Sequence, residues 1–420
     1  MKIIVFLCKY LIMSNCTRKI FTLIYNHLPA KEHSIIIGAR QTGKSTVLQQ
    51  IHKKLLDEDK KSFLLTLEDP ELLSSINAHP ENIFDYIPRP KNERIFLLID
   101  EVQYAVNPSN FLKLLYDKYS TQLKIIATGS SAFYIDRKFK DSLAGRKQLF
   151  ELYTLDFDEF IDFKASDKNL LAEMNEIRVN PKYKSSVRKK LEELFDEYLT
   201  FGGYPSVVLA NSEDEKKNKL KELVNTYLKR DIYESNIANE SKFYNLLLLL
   251  ANQTGAQLNI NELSNTLKLS VTAVDNYLYV LQKSFHIALV RPFYSNVRKE
   301  LTKMPKLYFN DTGLRNTILN QLERVNNRLD KGLLIENYIY IRLRQLYGSD
   351  AIKYWRTADG NEVDFIISTA FNEGFAVEAK FNIDEFKPNK YKKFIEHYPQ
   401  YTLQCVAYKT PGNTGNILAL

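Results

Sequence analysis

One short segment constrains the fold of this chain more than any other. Residues 38–45 read Gly-Ala-Arg-Gln-Thr-Gly-Lys-Ser, which fits the pattern G-x-x-x-x-G-K-[ST] at every fixed position. An isoleucine run at 35–37 precedes this phosphate loop, and a helical pattern at 46–52 follows it. A strand, a glycine loop and a helix in this order surround a phosphate with backbone N–H groups and a helix N-terminus. The chain is therefore predicted to bind a nucleoside triphosphate.

The side chains of the phosphate loop (residues 38–45) have separate predicted roles. Lys44 would reach the β- and γ-phosphates, and the Ser45 hydroxyl would ligate Mg²⁺. ATP and Mg²⁺ are accordingly the predicted ligands. The residues predicted to line the nucleotide are Gly38, Ala39, Arg40, Gln41, Thr42, Gly43, Lys44, Ser45 and Thr46.

Two carboxylates complete the predicted site. The apolar run 95–99 ends in Asp100 and Glu101. Ligands of open α/β sheets bind at the carboxyl ends of the strands. Asp100 is predicted to hold Mg²⁺ through water, and Glu101 to polarise the attacking water. The sequence therefore predicts an ATP hydrolase.

Two further candidates follow the next predicted strand, at 124–128. Ser130 either senses the γ-phosphate or belongs to a simple Gly-Ser turn. Arg146, in Leu-Ala-Gly-Arg at 143–146, either stabilises charge on the γ-phosphate or pairs with a surface acid. Both alternatives stay open for each residue.

Composition excludes several classes of protein. The 420 residues are 45% hydrophobic and 26% charged, which indicates two to four globular domains and excludes wholesale disorder. Three cysteines are too few for a disulfide scaffold, so a cytoplasmic location is expected. No apolar run approaches the ~18 residues of a membrane span, and no membrane association is expected. The net charge of +8 permits a nucleic-acid partner without requiring one.

Motifs spread along the chain resemble one family. In order, they resemble prokaryotic AAA-type ATPases that carry a C-terminal domain of unknown function, DUF4143. Thr42 stands where that family usually has valine, an isosteric change. The motifs are Gly-Ala-Arg-Gln-Thr-Gly-Lys-Ser-Thr (38–46), Leu-Leu-Ile-Asp-Glu-Val-Gln (97–103), Thr-Gly-Ser-Ser (128–131), Leu-Ala-Gly-Arg (143–146), Phe-Gly-Gly-Tyr-Pro (201–205), Leu-Lys-Arg-Asp-Ile (228–232) and Tyr-Phe-Asn-Asp-Thr-Gly-Leu-Arg (308–315).

The resemblance implies an α/β fold class with several modules. They are a RecA-like or AAA-like core around a parallel sheet, a helical lid, a winged-helix module and a restriction-endonuclease-like α/β domain. ATP is expected between the phosphate loop and a neighbouring module or subunit, so a homo-oligomer is one expected state. The predicted bounds are 1–33 for an N-terminal helical segment, 34–155 for the ATPase core, 156–235 for the lid, 236–305 for the winged-helix module and 306–420 for the DUF4143 domain.

The predicted winged-helix module lacks the side chains of a base reader. A helix at 259–267, a turn and a second helix at 271–281 have helix-turn-helix spacing. The outward residues Thr272, Asp275 and Asn276 are not the cations that usually reach guanine. Packing or protein contacts are therefore favoured, while phosphate contacts from a wing near Arg298 and Lys299 stay open.

The last candidate set lies near the C-terminus. Glu336 on a helix, Asp364 on a strand and the Glu378-x-Lys380 pair on the next strand resemble the PD-(D/E)XK nucleases. Asp364 and Glu378 would chelate Mg²⁺, and Lys380 would orient water against a phosphodiester. An active nuclease and a structural relic are both open.

Two functions follow from these patterns. The first is an ATPase that processes DNA through its C-terminal region. The alternative is a regulatory or scaffold ATPase whose C-terminal modules bind a protein partner.

Overall fold

A computed structural model describes residues 16–91, 93–129, 143–165, 167–235, 237, 239–294, 296–370 and 372–420. The chain divides into two compact units. The first comprises residues 1–155 with 283–285, and the second comprises residues 156–282 with 286–420. The predicted boundaries at 33, 235 and 305 stay predictions. No helix within the described ranges is long and apolar enough to cross a membrane.

The first unit is built on a five-stranded parallel sheet. Its strand order is β2-β3-β4-β1-β5, so β4 lies between β1 and β3. Its central strands are continuous apolar runs, as expected when both faces of a parallel sheet are covered. The strands are β1 (His33–Ile37), β2 (Ser62–Thr66), β3 (Ile95–Asp100), β4 (Leu123–Gly129) and β5 (Lys147–Glu151).

Helices cover both faces of this sheet. Alternate residues of one strand point to opposite faces, so Ile35 and Ile37 join one core and Ile36 joins the other. The helices α1 and α2 pack on the Ile36 face, and α3 and α4 pack on the opposite face. Their bounds are α1 (Lys19–Asn26), α2 (Lys44–Asp57), α3 (Pro70–Ala78) and α4 (Pro108–Tyr119).

The predicted α/β class with a parallel sheet is confirmed. The strands expected at 34–37, 62–67, 95–99 and 124–128 occur in the structure with ends shifted by one residue. Strand ends depend on partner strands, which the sequence does not display, so such shifts are ordinary.

The second unit begins with helices. Those before the hairpin are α5 (Phe157–Ala165), α6 (Lys168–Val179), α7 (Arg188–Phe201), α8 (Pro205–Val208), α9 (Glu213–Glu234), α10 (Glu240–Asn252), α11 (Ile260–Leu267) and α12 (Val271–Lys283). An antiparallel hairpin of β6 (Ile287–Val290) and β7 (Lys306–Phe309) follows, with α13 (Val297–Thr302) in its connection. Gln257 adds a single antiparallel bridge to Lys306.

The C-terminal part of this unit is a mixed sheet in the order β11-β10-β9-β8. The pairs β8–β9 and β9–β10 are antiparallel, and β10–β11 is parallel. Trp355, which the sequence assigns to core packing, is 5% exposed within an aromatic cluster. The elements are α14 (Thr312–Ile318), α15 (Lys331–Tyr347), β8 (Ile352–Arg356), β9 (Glu362–Ala370), β10 (Glu373–Asn382), α16 (Lys392–His397) and β11 (Tyr401–Lys409).

Two of the family motifs interlock inside the second unit. The Asp311 carboxylate caps α14 by accepting from the Leu314 N–H at 2.9 Å, and it also accepts from the Gly203 N–H at 2.8 Å. The buried Asn316 amide donates to two carbonyls at the end of α7, each at 2.9 Å. The motifs at 201–205 and 308–315 therefore fix one helix end against another.

Gly313 permits this close approach. A Cβ at this position would lie 2.0 Å from the Phe201 carbonyl oxygen, which belongs to rigid backbone. We expect Gly313→Ala to lower the free energy of unfolding by about 1–3 kcal/mol, as for other overpacked sites. Gly332→Ala is the matched control, because nothing lies within 4 Å of the added Cβ. Equal urea midpoints for the two variants would contradict the interlock.

Candidate functional site

The parallel register brings two chemical groups to one edge of the first sheet. In the β1–β4 pair Ile36 is opposite Thr128, and in the β3–β4 pair Ile99 is opposite Ala127. The phosphate loop, which follows β1, and Asp100, which ends β3, therefore lie at the same edge, on either side of β4. Two strand spacings of about 4.8 Å separate them.

The backbone of the phosphate loop has an unusual shape. Gln41 and Gly43 adopt left-handed conformations, with φ of 56° and 96°. Gly43 is also the N-cap of α2, so the loop ends at the positive end of that helix. Gly38 lies against β5's end, where a Cβ would come within 2.0 Å of the Leu152 carbonyl oxygen. A glycine loop that ends at a helix N-terminus can bind an anion through its backbone N–H groups.

Two side chains of the loop bond to the loop's own backbone. The Lys44 ammonium donates to the carbonyl oxygens of Gly38 at 2.9 Å and Ala39 at 2.8 Å, and Lys44 is only 6% exposed. The Thr42 hydroxyl donates to the Ala39 oxygen at 2.8 Å, which explains how threonine is accommodated in place of valine. The cation is thus already inside the loop, while Ser45 and Thr46 begin α2 and are half-buried.

Thr128 contacts both acidic residues at the end of β3, one through its carboxylate and the other through its backbone. Its hydroxyl donates to Asp100 Oδ1 and accepts from the Glu101 backbone N–H at 2.9 Å. The Gln103 side-chain amide donates to Glu101 Oε2. Glu101 itself is left-handed, with φ of 58°, a strained conformation that clusters at functional sites. Thr128 belongs to the motif at 128–131, but the sequence assigned it no role, because its bonds to Asp100 and Glu101 depend on the pairing of β3 with β4.

Arg18, which directly precedes α1, bonds the phosphate loop to a second segment of the first unit. Its guanidinium, 6% exposed, donates to the Thr42 carbonyl oxygen at 2.7 Å and to the Tyr153 carbonyl oxygen at 2.9 Å. It also reaches the Thr154 oxygen at 3.4 Å. One side chain therefore connects the loop with the segment that ends the first unit. The sequence did not indicate Arg18, since side-chain bonds to distant carbonyls leave no pattern.

The two remaining predicted residues, Arg146 and Ser130, are not part of the described site at the carboxyl edge of the sheet. Arg146 precedes β5, which pairs in parallel with β1 so that His33 is opposite Lys147. It therefore lies at the amino edge of the sheet, roughly 16 Å along β1 from the phosphate loop at about 3.3 Å per residue. There its Nε pairs with Asp117 Oδ1 at 2.7 Å. Ser130 lies outside the described residues.

A second cluster forms in the second unit, and it contains the four predicted C-terminal residues. Glu336 on α15, Asp364 on β9 and the Glu378–Lys380 pair on β10 converge there. Lys380 Nζ lies 2.5 Å from Glu378 Oε1. Lys306 on β7, which the sequence did not indicate, lies between Glu336 and Asp364.

Burial is the largest cause of the pKa shifts of Glu336 and Glu378, whereas neighbouring carboxylates outweigh burial at Lys306. Burial, reinforced by the neighbouring Asp364 charge, raises the pKa of Glu336 to about 7 and that of Glu378 to about 7. Burial alone would lower the pKa of Lys306. The facing carboxylates, led by Glu336, instead hold that pKa well above its usual range.

Family models match three parts of the chain. Residues 30–161 match an AAA domain, residues 192–324 match the domain of unknown function DUF8612, and residues 331–415 match DUF4143. The AAA match covers the parallel sheet and the phosphate loop, and it supports ATP binding and hydrolysis by the first unit. The DUF4143 match spans all four strands of the C-terminal sheet and all four predicted C-terminal residues, which are Glu336, Asp364, Glu378 and Lys380.

Relatives of similar length are uncharacterized. A protein of Methanocaldococcus jannaschii is 27% identical over 340 residues, covering 79% of this chain and 71% of that protein. A second from the same organism is 28% identical over 370 residues, covering 83% and 75%. A Haemophilus influenzae protein is 27% identical over 364 residues, covering 84% and 83%.

Solved structures give weak matches. The Aeropyrum pernix ORC1 protein in complex with DNA has a TM-score of 0.32 at 10% identity, covering 72% of this chain and 90% of that one. AMPPCP-bound DnaA from Aquifex aeolicus has a TM-score of 0.28 at 15% identity, covering 64% and 87%. TM-scores this low do not establish a common fold, so the assignment depends on the family models and the site geometry.

Arg18 provides a test of the loop geometry. We expect Arg18→Ala to weaken ATP binding roughly tenfold, because the Thr42 carbonyl loses a charge-assisted hydrogen bond of about 1.5–3 kcal/mol. Arg94→Ala is the matched control. Arg94 also donates to two carbonyls, those of Pro29 and Ala30, but it precedes β3 at the opposite edge of the sheet. Fluorescent-nucleotide titration that weakened equally in both variants would contradict a specific role for Arg18.

Proposed function

We propose that this protein is a Mg²⁺-dependent ATPase whose site is the carboxyl edge of the first sheet. One observation carries the proposal. The phosphate loop, with the Lys44 ammonium bonded inside it, lies at the same edge of the sheet as Asp100 and Glu101, and one strand separates them. Phosphate oxygens bound there would replace the two carbonyl oxygens that now accept from Lys44. The AAA family match supports the same activity.

Each side chain has a proposed role. Lys44 and the loop N–H groups bind the β- and γ-phosphates, and the N-terminus of α2 stabilises their charge. Ser45 and Asp100 supply oxygen donors of the kind that Mg²⁺ prefers, and the bound ion would neutralise charge on the phosphates. Glu101 accepts a proton from the attacking water. The Gln103 amide bonds to the Glu101 carboxylate, and Thr128 fixes the Glu101 backbone.

Arg146 is not proposed to act on the nucleotide of its own chain. Its place at the amino edge and its ion pair with Asp117 support the interpretation as a surface pair. A contribution to a γ-phosphate would require the site of another subunit. Ser130 remains a predicted sensor of the γ-phosphate.

Glu101→Gln tests the hydrolysis step. We expect kcat for ATP to fall by about 10²–10⁴-fold, because the amide cannot accept the proton, while ATP binding is retained. Glu93→Gln is the control, since Glu93 is exposed and pairs with Lys61 before β3. Steady-state phosphate release and nucleotide titration measure the two effects separately. Unchanged turnover in Glu101→Gln would refute the assigned base.

We further propose that the ATPase acts on DNA through the hairpin of the second unit. The order α10, a bridge at Gln257, α11, α12 and the β6–β7 hairpin supports a winged-helix module. The connection between β6 and β7 exposes four cations, which are Arg291, Arg298, Lys299 and Lys303. Cations on such a wing suit contacts with phosphates.

The contacts would be independent of DNA sequence. The exposed residues of α12, all described in the structure, are Val271, Thr272, Asp275, Asn276 and Tyr279. None of them is a cation that could read guanine in the major groove. The regulatory or scaffold function, with a protein partner on the same face, is the alternative. Exposed Leu301 and Met304 on the connection favour that alternative.

A charge-reversal triple variant distinguishes the DNA-binding proposal from the protein-partner alternative. We expect Arg298→Glu/Lys299→Glu/Lys303→Glu to weaken duplex DNA binding at least roughly tenfold and to reduce its salt dependence. The control is Lys387→Glu/Lys390→Glu/Lys392→Glu, which makes the same charge change on an exposed segment near α16. Fluorescence anisotropy with duplex DNA is the measurement. Absent binding by the wild type, or equal losses in both triples, would favour the protein-partner alternative.

A further inference from the structure

The C-terminal acid cluster already contains a cation of its own. Lys306 Nζ lies 3.1 Å from Glu336 Oε1, 2.5 Å from Glu362 Oε1 and 3.4 Å from Asp364 Oδ1. Its side chain is only 2% exposed. A primary ammonium has three N–H donors and here faces three carboxylates.

Of these three carboxylates, Asp364 is also one of the two predicted metal ligands, and the other predicted ligand is Glu378 on β10. The Tyr308 hydroxyl also donates to Glu336 Oε1 at 2.7 Å, and the Ala379 N–H donates to Asp364 Oδ2 at 2.9 Å. Glu378 Oε1 pairs with Lys380. The two predicted metal ligands, Asp364 and Glu378, and the third carboxylate of the predicted site, Glu336, therefore each have a protein donor on at least one oxygen.

A divalent metal ion does not fit beside Lys306. Mg²⁺ and Ca²⁺ bind oxygen at about 2.0–2.6 Å. An ion at that distance from Asp364 Oδ1 would compete with an ammonium that already lies 3.4 Å from that atom, and the other predicted ligand, Glu378, is paired with Lys380. Within the described part of the chain, no group of three or more His, Cys, Asp or Glu residues is arranged to hold a metal.

We infer that the Lys306 ammonium is the resident cation of this cluster, and that the cluster is a metal-independent ionic joint rather than a nuclease site. The joint connects three elements. Lys306 belongs to β7, Glu336 to α15, and Glu362 and Asp364 to β9. It therefore ties the hairpin to the C-terminal sheet within the second unit.

The inference does not depend on the ATPase proposal, since every residue in it lies in the second unit and no nucleotide is involved. It deepens the DNA proposal in one respect: the hairpin that carries the exposed cations is fixed to the C-terminal sheet. DNA contact without cleavage is the consequence. Plasmid nicking by the wild type that is lost in Asp364→Asn would overturn it.

Metal binding by the nucleotide-free full chain is the first test. Mn²⁺ is the probe, followed by electron paramagnetic resonance, with Asp364→Asn as the comparison. We expect the wild type and Asp364→Asn to bind Mn²⁺ equally, with no site that depends on Asp364. A stoichiometric, Asp364-dependent Mn²⁺ site in the wild type would overturn the inference, whatever the ATPase activity proves to be.

Stability is the second test. Breaking a buried charge cluster leaves carboxylates uncompensated, so we expect Lys306→Met to lower the thermal midpoint by about 10 °C. Lys353→Met is the matched control, because Lys353 pairs with Glu300 at 2.7 Å but is 25% exposed. A Lys306→Met protein that fails to fold, beside a folded Lys353→Met, supports the joint. Equal midpoints for Lys306→Met and the wild type would contradict it.

Discussion

The parallel pairing of β1, β4 and β3 is the constraint on which the first unit depends. Because all three strands run the same way, the loop after β1 and the acids after β3 emerge at one edge. The strand between them contributes Thr128, whose hydroxyl contacts Asp100 and accepts from the Glu101 backbone. Two apolar cores, one on each face, hold the strands in this register. The placement of the candidate site residues therefore depends on the packing of the two apolar cores against the sheet.

A different principle organises the second unit. Two of its motifs, at 201–205 and 308–315, are buried and bonded to each other rather than arranged around an open site. Asp311 and Asn316 fix the end of α7, and Gly313 allows the two backbones to approach. Lys306 fixes the hairpin to the C-terminal sheet in the same manner. Residues of a family motif can thus have structural roles. A motif match alone does not show that its residues take part in catalysis or binding.

Much of the first unit was predictable from the sequence, because continuous apolar runs and a glycine loop are local signals. The same holds for Asp100 and Glu101, which directly follow such a run. Contacts between distant segments were not predictable, and Arg18 on the Thr42 carbonyl and Lys306 among the carboxylates are the examples. Arg146 could be located only once the partner of β5 was known, since its edge of the sheet follows from strand direction. The predicted C-terminal carboxylates do converge. The cation that pairs with them, Lys306, lies on β7 and was not indicated by the sequence.

Steady-state ATP turnover by the full chain, with Lys44→Ala as the blank, tests the central assignment most directly. Lys44 is the cation of the phosphate loop, and alanine removes it without altering the strands behind the loop. We expect Mg²⁺-dependent phosphate release by the wild type that falls to background in Lys44→Ala. Absent turnover in a folded wild type, or equal turnover in both proteins, would contradict it.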